Sequence, residues 1–208
     1  MIPQLNQYKL DCAGRCLDLS YPRVMGILNV TPDSFSDGGL FLQAEHALQH
    51  ALRMMREGAA IVDIGGVSSR PGSKSVSLAA ELDRVIPIIE LLYQEMDIPL
   101  SVDTCKPEVM SEAMKAGAGF VNDIKALSAP GAMQAVCNAK VGIGLMHMQG
   151  EPSTMQDDPH YTDVVADVWH FLKERIEQCE AHGIAKERLL IDPGFGFGKR
   201  VEHNLQII

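Results

Sequence analysis

Six short β-branched or apolar runs, with helical patterns between them, are the feature that most narrows what this 208-residue chain can become. The runs fall at residues 24–30, 60–66, 100–104, 120–124, 142–148 and 189–192. Helical periodicity fills residues 43–57, 78–95, 107–115 and 162–182, with a shorter helix after Pro130. Strands that are apolar on both faces need cover on both faces, which a parallel sheet wrapped by helices supplies. The alternation therefore predicts an α/β fold. Gly58, Gly117 and Gly183 stand where three of the helices should stop, and Pro107 suits a first helical position. Residues 8–19, around Ala13-Gly14, read as a hairpin able to plug the N-terminal end of a barrel. No linker or low-complexity tract interrupts the chain, so residues 1–208 are expected to form one domain.

Each run ends in a group that hydrogen-bonds or ionises: Asn29, Asp63, Asp103, Asn122-Asp123, His147 and Asp192. In a parallel sheet all C-terminal strand ends lie on one side. In a closed barrel they ring one mouth, where the active sites of such enzymes sit. A doubly wound sheet gathers only some of them, at its switch point. The bland reading is that Asp and Asn at strand ends are turn formers and helix caps. Caps belong a few residues later, just before each helix, so the series as a whole favours a shared rim. Any single member stays open to the bland reading. A TIM-type (β/α)8 barrel is expected.

The formal charge of -9 and pI near 5.2 argue against a nucleic-acid footprint or a basic membrane-binding face. Five cysteines make an odd set without the look of a disulfide framework. Cys12 and Cys16 lack a second Cys/His pair at zinc-site spacing, so reduced thiols are the simpler reading. No apolar run is long enough to span a bilayer, and the N-terminus lacks the regions of a signal peptide. A soluble, cytoplasmic protein is expected.

Three tempting motifs fail. Gly194-Phe-Gly196-Phe-Gly198-Lys199 has neither Walker nor dinucleotide-fingerprint spacing, and Arg200 stands where Ser or Thr should follow the lysine. His46 and His50 share a helix face, but Ala47 occupies the place of a zinc protease's Glu, which leaves a solvated face. No Gly-x-Ser-x-Gly elbow is present.

A pocket rimmed by Asp103, Asn122 and Asp192 suits a flat heterocycle. A fixed carboxylate matches two adjacent N–H groups on one planar edge, such as that of a 2-amino-4-oxo pteridine. Asn122 can donate and accept on another edge. Met146 and Met148 can supply apolar contact, though Met at a strand is more often ordinary core. Pro193 holds Asp192 extended. Two polar stretches, residues 31–40 and 67–74, look built to close over the pocket, the second bringing Arg70 and Lys74 beside Asp63. With Asn29 they are suited to a Mg²⁺–phosphate group, since Mg²⁺ takes oxygen ligands and few from protein. Plain connectors are the alternative for both.

The residues as a set resemble the dihydropteroate synthase family. Gly26-Ile-Leu-Asn-Val-Thr-Pro-Asp-Ser-Phe-Ser-Asp-Gly-Gly39 is similar to its first signature, and Asp63-Ile-Gly-Gly-Val-Ser-Ser-Arg-Pro-Gly72 to its second. Ser101-Val-Asp-Thr104, Val121-Asn-Asp-Ile124, Leu145-Met-His-Met-Gln-Gly150 and Asp192-Pro-Gly-Phe-Gly-Phe-Gly-Lys199 follow in the family's order. The resemblance implies a (β/α)8 barrel joining 6-hydroxymethyl-7,8-dihydropterin diphosphate to p-aminobenzoate, with sulfonamides competing for the second site. It implies that Asp103, Asn122 and Asp192 hold the pterin and that Asn29 is the Mg²⁺ ligand at the diphosphate. Asp103, Asn29 and Asp63 form the expected catalytic set. Ser69 keeps a hydroxyl where the family usually has Thr, Arg70 follows it, and Phe35 and Pro71 help form the p-aminobenzoate site. The implied chemistry is SN1-like, and the implied assembly of the full-length form is a homodimer.

Two departures stand out. Val67 occupies a place where the family usually has Glu, which removes a polar anchor for the second loop. The family also continues with a Ser-Arg-Lys and an Arg-Val-His strand end, and a complete barrel takes roughly 250 residues. The chain supplies about six βα units of the eight, and no turnover is expected from that length alone. A methyltetrahydrofolate-dependent methyltransferase and a binding-only fragment are the alternative readings. The long first signature argues against the methyltransferase.

Overall fold

The computed structural model describes residues 8–31, 40–67 and 76–208, except for the side chains of residues 40–43. Two short strands, β1 (Lys9–Cys12) and β2 (Arg15–Asp18), pair antiparallel as the expected hairpin. Ala13 and Gly14 both take positive φ, 55° and 88°, as a two-residue hairpin turn requires. Six further strands follow: β3 (Val24–Asn29), β4 (Ala59–Gly65), β5 (Leu100–Asp103), β6 (Phe120–Asp123), β7 (Gly142–Met146) and β8 (Leu189–Asp192). They form one parallel sheet in chain order, each strand beside its predecessor. A doubly wound sheet reverses its order partway, and this one does not. The fold is α/β, with six consecutive strands of a (β/α)8-type barrel.

The described residues also form the helices α1 (Leu40–Arg56), α2 (Leu78–Glu95), α3 (Pro107–Ala116), α4 (Ala132–Val136), α5 (Val164–Ala181) and α6 (Val201–Ile207). The helix α2 starts where expected because the Ser77 hydroxyl accepts the Ala80 N–H at 3.2 Å. Gly117 ends α3 in the left-handed conformation at φ 118°. Helix α6 and a 3₁₀ turn at Lys186–Arg188 were not anticipated, and β7 ends at Met146 rather than at residue 148. Among the described residues no helix is long and apolar enough to cross a membrane.

Side chains alternate between two cores. Leu28, Ile64, Val102, Val121, Ile143 and Leu145 point outward to meet the helices. Ile61 and Phe120 point inward and meet Leu10, Cys12 and Leu17 of the hairpin, with Met25 and Leu190 packed alongside. The hairpin therefore does plug the N-terminal end of the sheet. Arg15 ties it down, donating to the carbonyls of Ile98 and Tyr93, both at 2.8 Å, with its guanidinium 4.3 Å from the centre of the Tyr93 ring. Gly119, just before β6, sits so close that an added Cβ would lie 2.2 Å from the Cys12 carbonyl oxygen. Gly119→Ala is expected to cost about 2–3 kcal/mol by pushing the hairpin off its seat, read as a lower urea midpoint.

Candidate active site

Strand register sets the layout of the mouth. Asn29 of β3 stands beside Gly65 of β4, Gly65 beside Asp103 of β5, and Asp103 beside Asn122 of β6. Asn122 in turn neighbours Gly144 of β7, and two residues further along Met146 neighbours Asp192 of β8. Asp103 and Asn122 thus occupy one level, and Asp192 stands one inward position above it. All three fall on the face of the sheet that carries Phe120 and Leu190, at its C-terminal end. Both glycines matter here. A Cβ at Gly65 would lie 3.4 Å from Asp103 Oδ2 and 3.6 Å from Asn29 Oδ1, so those two oxygens lean over the same bare patch of β4. A Cβ at Gly144 would lie 3.1 Å from Asn122 Oδ1 and from the Phe120 ring. Their missing side chains leave a slot with flat walls.

Asp63 is not at the rim. It lies two residues before the end of β4, buried, beneath the level of Asn122. Its Oδ1 accepts the Ser101 hydroxyl at 2.5 Å and its Oδ2 accepts an Asn122 amide N–H at 2.9 Å. Ser101 is itself fully buried. This pair of bonds fixes which face Asn122 turns to the mouth: the amide N–H points down, and Oδ1 leans over Gly144. Burial pushes the Asp63 carboxyl up from its ordinary value, against the pull of both hydrogen bonds.

Asp103 is held differently. Among the described residues no donor reaches its carboxylate. Burial raises its pKa well above the ordinary carboxylate range, and the negative neighbours Asp63, Asp123 and Glu81 add to the rise. A desolvated acceptor without a protein donor is poised for N–H groups or positive charge brought by a ligand.

Besides Asp63, two more members of the strand-end series do not join the rim. Asp123 turns outward and accepts the N–H groups of Lys125 and Leu127, both at 2.8 Å. It stabilises a tight turn in which Ala126 and Leu127 take positive φ, 50° and 56°. His147 packs edge-on against Phe171 of α5, ring centres 5.0 Å apart. For Asp123 the turn-former reading holds, and His147 belongs to the packing against α5. Met146 is buried next to Asp192, and Met148 is half-buried. His46 and His50 lie exposed on α1. Phe35, Ser69, Arg70 and Pro71 lie outside the described residues.

A buried cluster behind Asp103 went unseen in the sequence. Glu81 of α2, almost wholly buried, accepts the Thr104 hydroxyl at 2.5 Å and pairs with Lys106 Nζ. Lys106 also donates to the Val76 carbonyl at 2.8 Å, and Arg84 donates to the Gly66 carbonyl at 2.9 Å. Gly66, inside the second signature, and Val76, just beyond it, are thereby tied to α2 and to the β5 tip. No spacing betrays this, since an acidic residue in a first helical turn reads as an ordinary partner of the helix dipole.

For a metal, the described residues contain no group of three or more His, Cys, Asp or Glu able to cage an ion. The amide oxygen of Asn29 facing Asp103 across Gly65 is what remains. That set fits Mg²⁺ held chiefly by phosphate oxygens and water, with one neutral protein ligand.

A parallel barrel sheet with a carboxylate-and-amide slot at its C-terminal mouth is the setting in which the comparisons fall. A family model described as pterin binding enzyme matches residues 25–208, and the chain belongs to that family. Its curated relatives are dihydropteroate synthases. The Escherichia coli (strain K12) enzyme is 53% identical over 200 residues, covering 96% of this chain and 71% of that protein. The Haemophilus influenzae enzyme is 48% identical over 200 residues, covering 96% of this chain and 73% of that protein. Among solved structures, Xanthomonas albilineans dihydropteroate synthase with 4-aminobenzoic acid superposes with a TM-score of 0.90 at 56% identity, covering 97% of this chain and 72% of that one. Yersinia pestis dihydropteroate synthase in a sulfonamide drug complex gives 0.89 at 53% identity, covering 96% of this chain and 72% of that one. Within the pterin binding enzymes, this chain is a transferase of the dihydropteroate synthase type.

Proposed function

We propose that the protein condenses 6-hydroxymethyl-7,8-dihydropterin diphosphate with p-aminobenzoate, giving dihydropteroate and diphosphate. The observation that carries this reading is the Asp103 carboxylate, which no donor among the described residues reaches, level with Asn122 and below Asp192 on one face of the sheet. A relative solved with 7,8-dihydropteroate, from Xanthomonas albilineans at 50% identity, supports the product class.

In this reading Asp103, Asn122 and Asp192 bind the pterin edge to edge, and Met146 lies against its ring. The C–O bond between the pterin methylene and the diphosphate breaks, and the electron pair leaves with the diphosphate. The cation left on the methylene and ring is stabilised by the Asp103 carboxylate in a site shielded from water. The aryl amine lone pair then forms the C–N bond, and the nitrogen gives up a proton. Asp63 acts one layer down by holding Asn122. Asn29 is the protein ligand for Mg²⁺, which when bound neutralises charge on the departing diphosphate. Phe35 and Pro71 are proposed for the p-aminobenzoate side of the site, and Ser69 and Arg70 of the second loop for substrate binding.

The test is a coupled assay on the full-length protein with both substrates, following dihydropteroate by chromatography and diphosphate release in parallel. Equal amounts of both products, lost on chelation and restored by Mg²⁺, are expected. Absence of dihydropteroate under these conditions would overturn the reading.

A further inference from the structure

The loop after β8 ends in a lysine that the chemistry above does not use. Lys199 is only 3% exposed, although among the described residues no carboxylate bonds to its ammonium. Its Nζ donates instead to the carbonyls of Gly194 at 2.9 Å, Phe197 at 3.1 Å and His147 at 3.3 Å, and lies 2.9 Å from His147 Nδ1. Burying an ammonium costs several kcal/mol unless its donors are filled, and this one has more acceptors than protons to give. The acceptors come from two places only: the strand end of β7 and the turn that follows Asp192.

That turn is also where Asp192 is held. The Gly194 N–H donates to Asp192 Oδ1 at 2.7 Å, and the His147 N–H donates to the Asp192 carbonyl at 3.0 Å. The approach of the two segments is so close that a Cβ at Gly194 would lie 1.9 Å from the His147 carbonyl oxygen. Each residue that grips Asp192 is thus itself gripped by Lys199. Further out, the Tyr161 hydroxyl donates to the Gly198 carbonyl at 2.8 Å.

We infer that Lys199 is a positioning residue: it cross-links the β7 and β8 tips through His147 and Gly194 and so aims the Asp192 carboxylate at the pterin. The inference rests on the reading that Asp192 holds the pterin. The ionic states agree with it. Burial, and then the charge of Lys199, lower the His147 pKa to about 4, so its ring is a neutral acceptor at working pH. Burial lowers Lys199 itself to about 8, against the pull of Asp192. The remaining charged neighbour is Asp167 of α5, which acts on His147. The phosphate-loop look of the sequence here has a plain explanation, because the lysine points into the protein.

The experiment is a double-mutant cycle in the full-length enzyme, using Lys199→Met and Asp192→Ala, with KM for each substrate and kcat measured. Lys199→Met is expected to raise KM for the pterin diphosphate about tenfold, roughly one lost hydrogen bond, and KM for p-aminobenzoate less than about threefold. In the Asp192→Ala background Lys199→Met is expected to add little, since its effect passes through Asp192. Effects that multiply, KM values that move together, or an unchanged pterin KM would each overturn the inference. Should Lys199→Met fail to fold, His147→Phe keeps the ring packing and removes the Nδ1 acceptor. It is expected to raise the pterin KM alone by about threefold, and an unchanged pterin KM there overturns the inference equally. An inactive wild-type enzyme would instead count against the proposed function, so the two failures are distinguishable.

Discussion

Asp103→Asn is expected to lower kcat by about 10²–10³-fold while making the folded protein more stable, because one group is responsible for both effects. The amide has the same shape but no charge, and one of its edges donates where the ligand also donates. Stabilisation of the cationic methylene is lost. The stability gain follows from linkage. Burial and the neighbouring carboxyls raise the folded-state pKa of Asp103 well above its ordinary value. The folded state therefore binds more protons than the unfolded one between the two pKa values, and stability falls as pH rises through the folded pKa. Below the unfolded pKa, about 4, the variant has nothing to relieve. Wild type and Asp103→Asn should melt together at the acid end and separate toward pH 8, the variant being the higher. Each kcal/mol of relief corresponds to roughly 2–4 °C for a domain of this size. Thermal scans at two pH values, with kcat alongside, check both halves. A variant that melts lower at pH 8 would sink the account of Asp103 as a costly buried acid.

Asp63→Ala is expected to damage the same site from below. The residue does not face the mouth, yet its removal leaves the Asn122 amide N–H and the buried Ser101 hydroxyl without their acceptor. Each unpaired buried donor costs about 1–3 kcal/mol. Relief from burying a raised-pKa carboxyl offsets part of this. The net expectation is a loss of about 2 kcal/mol in chemical denaturation, with the pterin KM raised about 10-fold or more as Asn122 loses its orientation. Asp63→Asn should keep more of both, since one amide oxygen still accepts one of the two donors. Equal losses in the two variants would mean that charge, not hydrogen bonding, is what Asp63 supplies.

Much of the architecture was readable from periodicity. The helix at Leu78–Glu95 and the strand at Leu189–Asp192 fall on their expected bounds, because Ser77 caps the one and Pro193 cuts the other. Register was readable only in outline. An apolar run shows where a strand is but not its last residue, so Asp63 read as a strand end although Ile64 and Gly65 carry the strand further. The direction of a polar side chain is harder still. Asp123 and His147 have the same local setting as Asn122 and Asp192, an apolar run before and a turn after. Alternation along the strand sends Asp123 outward, and the aromatic ring of Phe171, remote in sequence, takes in His147. The Glu81–Thr104–Lys106 cluster and the Lys199 cross-link bring together residues 23 to 52 positions apart with no shared motif. Such long-range polar satisfaction is set by packing, which one-dimensional spacing does not encode. The resemblance to a family singled out the residues proposed to hold the pterin, and the geometry adds what fixes the side chains of Asn122 and Asp192.

The plug at the foot of the sheet also dictates an order of events during synthesis. The Ala13 N–H bonds to the Lys140 carbonyl at 2.9 Å, and Leu10 packs where a Cβ on Gly142 would intrude at 2.7 Å. The hairpin thus has its seat built from a segment that emerges more than a hundred residues after it. At about 5–20 residues per second it waits several seconds or longer, its apolar face uncovered. Nascent-chain truncations ending before β7 should leave this hairpin open to protease and to chaperones, and extension past β7 should protect it.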